Sequence, residues 1–110
     1  MPKSEESVEA FVANLDGRTG AYCGRAFWAL ELLCACVDAR VDVPDQVSIV
    51  GQDEDREKSA VRPRISTVDV KPEEVGARAA GMLIALINGK SPEDEIVKPE
   101  LIMRDSTRQL

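Results

Sequence analysis

Two short stretches hold the residue types with the most chemical reach. Asp53, Glu54 and Asp55 follow almost directly on the apolar run Val47-Ser48-Ile49-Val50-Gly51. A carboxylate at the end of such a run offers two acceptor oxygens to two adjacent O–H donors, which is the donor pattern of a sugar. The same acids also suit an ordinary solvated turn. They do not make a calcium loop, because the sixth position lacks glycine and the twelfth lacks a bidentate Glu. A carboxylate pair for glycoside chemistry is present by residue type, with nothing to set its separation. The second stretch centres on Arg25, which follows Gly20-Ala21-Tyr22-Cys23 and precedes a long apolar segment. Its planar fork can donate to a hydroxylated or anionic ligand, or it can be an exposed helix-start residue. Tyr22, Phe27 and Trp28 flank it, either as an aromatic face for a sugar ring or as core.

Other chemistries are excluded by what is missing. The chain has no histidine, so no Ser/His or Cys/His nucleophile pair can be assembled. Cys23, Cys34 and Cys36 are odd in number and lack a CxxC spacing, which fits neither a disulfide framework nor a zinc site. They read as small buried hydrophobes of a reducing compartment. Gly17, Gly20 and Gly24 do not form GxGxxG, and Lys90-Ser91 follows a helix instead of a strand, so nucleotide binding is rejected. No cofactor and no metal are called for.

The elements that must position these residues alternate. Val8, Phe11, Val12 and Leu15 form one helical stripe over Ser7–Leu15, with Ser4 as cap and Glu5 and Glu6 in the first turn. Residues 20–23 read as a short buried strand. The stretch Ala26–Ala39 is apolar almost all round, which predicts a helix packed on more than one side. Val47–Gly51 reads as a buried parallel strand with a loop at its carboxyl end, and residues 53–64 as polar loop or a short exposed helix. Ile65–Val70 is a short strand. Pro72, Glu73 and Glu74 open a helix that Asn88-Gly89 closes, with Val75, Ala79, Met82, Leu83, Leu86 and Ile87 on one face. That helix needs a partner to bury its face. Ile96–Met103, interrupted by Pro99, is a last strand at an edge or a crossing. The order is α/β with an open, mostly parallel sheet flanked by helices.

Length and charge bound the function. At 110 residues the chain is one small domain or part of a larger one. A hydrophobic share of 44% against 31% charged is a globular balance and argues against disorder. The net charge of −6 lacks the basic footprint of a self-sufficient nucleic-acid binder. The start MPKSEESVEA carries no secretory signal and no apolar run reaches a membrane span of about 20 residues, which reads as a cytoplasmic protein with no membrane contact.

Four motifs in order resemble one family. Val43-Pro44-Asp45-Gln46-Val47-Ser48-Ile49-Val50-Gly51 with Asp53 is similar to the "VPEDVSVVGFDD" segment of LacI/GalR-type regulators. Pro63 with Ile65-Ser66-Thr67-Val68 resembles "PPLTTV", and Val75-Gly76 with Ala79-Ala80 resembles "LGRRAAELL". Pro99-Glu100-Leu101 with Arg104-Asp105-Ser106-Thr107 resembles "PELVVREST". The match covers about residues 19–107. Asp53-Glu54-Asp55 and Ser66-Thr67-Val68-Asp69 lean toward the xylose-operon regulator branch, similar to its "GVDND" and "SSVD".

The resemblance implies a fragment of a two-lobed, periplasmic-binding-protein-like sensor that takes a small ligand, usually a sugar, between its lobes. Residues 1–62 and 101–110 resemble pieces of the C-terminal lobe, and 66–95 a piece of the N-terminal lobe. Asp53 is then a ligand-contacting carboxylate. Arg25 and Ala26 stand where the family has Asn-Asp, so the usual sugar contacts are altered and a sugar acid or sugar phosphate comes into play, or a blocked cleft. The implied partners are a small effector, a second copy in a homodimer, and operator DNA through a domain absent from this chain. No catalysis is implied. A transport-type sugar-binding protein shares the fold, a small carboxylate enzyme would use residues 53–57, and a truncated remnant would only dimerise.

Overall fold

The computed structural model describes residues 7–17, 19–53 and 59–109. Ser4, Glu5, Glu6, Glu54 and Asp55 lie outside them. The elements are α1 (Val8–Ala13), β1 (Thr19–Cys23), α2 (Ala26–Asp38), β2 (Val47–Gln52), β3 (Ser66–Asp69), α3 (Pro72–Ile87) and β4 (Glu100–Ile102). Helix α1 is shorter than its stripe suggests. Its cap is Ser7, whose Oγ accepts from the Ala10 N–H at 3.1 Å, in place of the expected Ser4.

One sheet of four strands runs β1-β2-β3-β4. β1 pairs parallel with β2 from Thr19↔Val47 to Cys23↔Gly51, and β2 pairs parallel with β3 from Val50↔Ser66 to Gln52↔Val68. β4 joins antiparallel, with Thr67 opposite Ile102 and Asp69 opposite Glu100. β4 is also shorter than the Ile96–Met103 run: it begins just after Pro99, which has no N–H for a ladder, and Ile96 stands exposed outside it.

The core lies on one side of this sheet. Val47 and Ile49 point from β2 into Ala29, Leu32, Leu33 and Cys36 of α2, and Val12 of α1, Cys23 of β1, Ala35 of α2 and Ile65 complete the cluster. Ala29, Leu32, Leu33 and Cys36 follow the i, i+3, i+4, i+7 spacing of a single face, with the small Ala35 at its margin. The expectation of a helix packed on several sides is therefore corrected. Phe27, Trp28, Cys34 and Val37 form the outer side and are exposed. β1 is an edge strand with alternating burial and only Cys23 buried, so it is not the buried strand expected. The sheet face opposite the helices carries Tyr22, Ser48, Val50 and Gln52, none of them fully buried. Parallel sheets are ordinarily covered on both faces.

Helix α3 stands apart from this core. Pro72 occupies its first turn with Glu73 and Glu74, and Gly89 at φ 76° closes it, with the Lys90 N–H donating to Ala85 O at 2.9 Å. None of its residues is buried. The molecule measures 58 × 29 × 24 Å with a radius of gyration of 17.9 Å, against about 13 Å for a compact chain of this length.

Candidate functional site

Parallel strands bring their carboxyl ends to the same edge, and both residues singled out from the sequence sit there. Cys23↔Gly51 is the last registered pair of β1 and β2. Arg25 and Asp53 each lie two residues beyond it, on backbones that leave strands about 4.8 Å apart. Their juxtaposition follows from topology alone.

Asp53 is held in a left-handed conformation at φ 68°. Asp tolerates this region better than most residues, and two bonds from β3 fix it there. The Asp53 N–H donates to Val68 O at 2.8 Å. Thr67 Oγ1 lies 2.7 Å from Asp53 O and 3.2 Å from Gly51 O, so one hydroxyl proton serves both carbonyls. Thr67 is itself fully buried. The side chain belongs to a half-buried residue, with its Oδ1 shielded from solvent. The backbone that carries this carboxylate is thus set by β3.

Arg25 is the N-cap of α2, with extended backbone at φ −130°, ψ 138°. A guanidinium has only donors, so it cannot cap the helix N–H groups, and its side chain makes no capping bond. It lies over the Trp28 ring instead, 5.3 Å from the centroid. Trp28 is 45% exposed and Phe27 66%, so neither is core, contrary to the reading of an apolar helix interior. Tyr22 is exposed on the neighbouring strand, its hydroxyl donating to Gln52 Oε1. The carboxyl edge thus carries a carboxylate on an anchored backbone, a stacked cation and exposed aromatic rings.

A second group, invisible to hydropathy, ties the start of β3 to the segment that follows β4. Ser66, Thr67 and Ser106 are buried polar residues. The Ser66 N–H donates to Ser106 Oγ at 2.8 Å, and Ser106 Oγ donates to Ile49 O. Ser66 Oγ accepts from the Arg104 N–H at 2.8 Å and bonds Thr107 Oγ1 at 2.7 Å, while Arg104 Nη1 donates to Ile65 O at 2.8 Å. Backbone bonds from the Ile49 N–H to Ser106 O and from the Ser106 N–H to Arg64 O complete the clamp. The segment running out to α3 and the segment returning from β4 are therefore locked side by side against β2. The Ser-Thr and Arg-Asp-Ser-Thr strings were the only sequence signal for it.

The thiols divide by position. Cys23 and Cys36 are buried, and burial pushes the Cys36 thiol above its ordinary range. Cys34 is exposed, so the buried-hydrophobe reading holds for two of the three. Among the described residues no three His, Cys, Asp or Glu side chains converge as metal ligands. No helix is long and apolar enough to cross a membrane. The surface depressions beside Met82 and Glu95 and beside Cys34 and Val61 include neither Asp53 nor Arg25.

The family described as periplasmic binding protein-like domain matches residues 2–107, nearly the whole chain. The chain belongs to this family. It is 35% identical over 95 residues to the arabinose metabolism transcriptional repressor of Geobacillus stearothermophilus, an alignment covering 84% of this chain and 26% of that protein. It is 28% identical to the HTH-type transcriptional repressor PurR of Erwinia tasmaniensis, covering 91% of this chain and 30% of the relative. In structure it resembles a LacI family transcriptional regulator from Arthrobacter sp. FB24 solved in complex with lactose. There the TM-score is 0.80 at 25% identity, over 94% of this chain and 40% of the other. The chain thus spans well under half the length of the periplasmic binding protein-like regulators it matches.

Proposed function

We propose that this chain is part of the ligand-sensing domain of a sugar-responsive transcriptional regulator of the LacI/GalR type. It would supply one wall of an effector cleft and catalyse no reaction. The observation that carries this is the placement of Asp53. Its backbone is pinned at the carboxyl edge by Thr67 and Val68, beside Arg25, in a chain whose named relatives are transcriptional repressors. Asp53 would accept from a sugar hydroxyl and Arg25 would donate to the same ligand. A lean toward the xylose-operon branch rests on residues 53–55 and 66–69 alone.

In this reading residues 1–62 and 101–110 belong to one lobe and 66–95 to the other. The unburied face of α3 and the bare side of the sheet are the surfaces that the remaining parts of both lobes would cover. The Ser66–Ser106 clamp is the crossing about which the lobes would close on ligand, a two-state motion able to shift dimer geometry and so operator affinity. DNA contact would come from a domain outside this acidic chain, in a cytoplasmic homodimer. Calorimetric titration with pentoses, hexoses and sugar acids tests the proposal. We expect saturable binding of one class without turnover, weakened at least tenfold, about 1.4 kcal/mol, by Asp53→Ala. Binding unchanged by that substitution overturns the role of Asp53, and product formation overturns the assignment as a sensor.

A further inference from the structure

We infer that Thr67 is the positioning residue for Asp53 and couples it to the Ser66–Ser106 clamp; the inference rests on reading the carboxyl edge as a ligand wall. The first ground is the backbone of Asp53. Among the described residues three that are not glycine have a left-handed backbone, Arg40, Asp53 and Lys71. Two of them stand at helix ends. Arg40 lies where α2 stops, with the Val41 N–H donating to Cys36 O at 2.8 Å. Lys71 caps the start of α3, its own N–H donating to Asp69 Oδ1 at 2.9 Å. Asp53 follows a strand instead, at the candidate site, and such a conformation persists only where its surroundings hold it.

The second ground is the geometry of the hold. Thr67 is fully buried and is the register partner of Gly51. Its Oγ1 lies 2.7 Å from Asp53 O and 3.2 Å from Gly51 O. The Asp53 N–H is meanwhile fixed to Val68 O at 2.8 Å. With the nitrogen fixed, a change in φ swings the Asp53 carbonyl away from Thr67. The same rotation carries Cβ. The hydroxyl that holds the carbonyl therefore also sets the direction in which the Asp53 side chain leaves the backbone.

The third ground is the residue before Thr67. Ser66 Oγ accepts from the Arg104 N–H at 2.8 Å and bonds Thr107 Oγ1 at 2.7 Å, and the Ser66 N–H donates to Ser106 Oγ at 2.8 Å. Successive side chains of a strand face opposite ways, so the two hydroxyls grip two different segments, 104–107 and 51–53. A single peptide unit joins them. A displacement of 104–107 is passed to β3 and, through Thr67, to Asp53.

The test is amide hydrogen exchange by NMR on the full chain. The readout is the Asp53 rate divided by the rate of Leu33 inside α2, which separates local opening from a change in global stability. Thr67→Val keeps the branched shape and removes the donor. It should raise the ratio about tenfold, equivalent to about 1.4 kcal/mol. Thr67→Ser keeps the hydroxyl and should leave the ratio within about twofold. Ser66→Ala should raise it about threefold, and add nothing in a Thr67→Val background, because the path runs through that hydroxyl. Calorimetry follows with the tightest binder among xylose, arabinose, glucose, galactose and gluconate. Its affinity should fall about fivefold or more in Thr67→Val and stay near wild type in Thr67→Ser. A ratio unmoved by Ser66→Ala overturns the coupling, even where Thr67→Val does not fold, and so do additive effects of the two substitutions. A raised ratio with unchanged affinity overturns the positioning role. A chain that binds no member of the set overturns the ligand-wall reading, and the exchange ratios still decide the coupling.

Discussion

Ile49 and Leu83 are branched aliphatic residues of similar size, each inside a regular element, and their surroundings are opposite. Ile49 is fully buried between β2 and α2, while Leu83 on α3 is 58% exposed with Ile87 beyond it at 74%. The same contrast separates the two long helices. α2 has no side-chain cap, no acidic residue in its first turn and no basic residue in its last, yet it buries a continuous stripe. α3 has Pro72, Glu73, Glu74 and a Gly89 stop, yet buries nothing. Tertiary packing defines the first helix and local end signals define the second. Side by side in one chain, one helix face is closed by the chain's own residues and the other is left open to solvent.

The largest effect should come from the closed side. Ile49→Ala removes atoms from a filled core and should cost about 2–5 kcal/mol in a urea denaturation of the chain. A loss under 1 kcal/mol would mean that the β2–α2 contact is not a packed core. Next comes the clamp. Ser106→Ala leaves the Ser66 N–H and Ile49 O without their hydroxyl partner and should cost about 1–3 kcal/mol. Ser106→Thr, which keeps the hydroxyl, separates the lost bond from lost space.

Smaller effects belong to α3, where the comparison is sharpest. A Cβ built on Gly81 meets nothing within 4 Å. Gly81→Ala should therefore raise helicity by circular dichroism and stabilise the helix by about 0.5–1 kcal/mol. A loss of helicity would reveal a packed neighbour at that position. Leu83→Lys should change stability by no more than about 0.5 kcal/mol, since the side chain it replaces is already largely in water. A drop of 2 kcal/mol or more, of the order caused by burying a charge, would erase the distinction between the two helices.

How much of this was legible in the sequence depended on the range of the interaction. The order of elements, the Pro72 start and the Asn88-Gly89 stop rest on neighbours a few residues apart and are found, and the strand from Val47 runs one residue past the expected Gly51. The outward side of α2 was misread because hydropathy records that Phe27 and Trp28 are apolar, not that the sheet offers α2 a single face. β4 was drawn too long because the apolar run around Pro99 masks the missing donor. The Ser66–Ser106 bond joins residues 40 apart, and serine in a run of polar residues carries no sign of burial. Asp53 and Arg25 were found as types at strand ends; the Trp28 stack and the Thr67 anchor are contacts that only the fold supplies.

The central claim is that ligand meets the chain at the carboxyl edge of β1 and β2. Amide-resolved NMR during titration with whichever sugar or sugar acid binds tests it most directly. The account predicts saturable shifts concentrated at residues 24–28, 52–53 and 67–68, lost in Asp53→Ala, with α3 unmoved. Shifts confined to α3 or to the outer side of α2, with the edge silent, would contradict it.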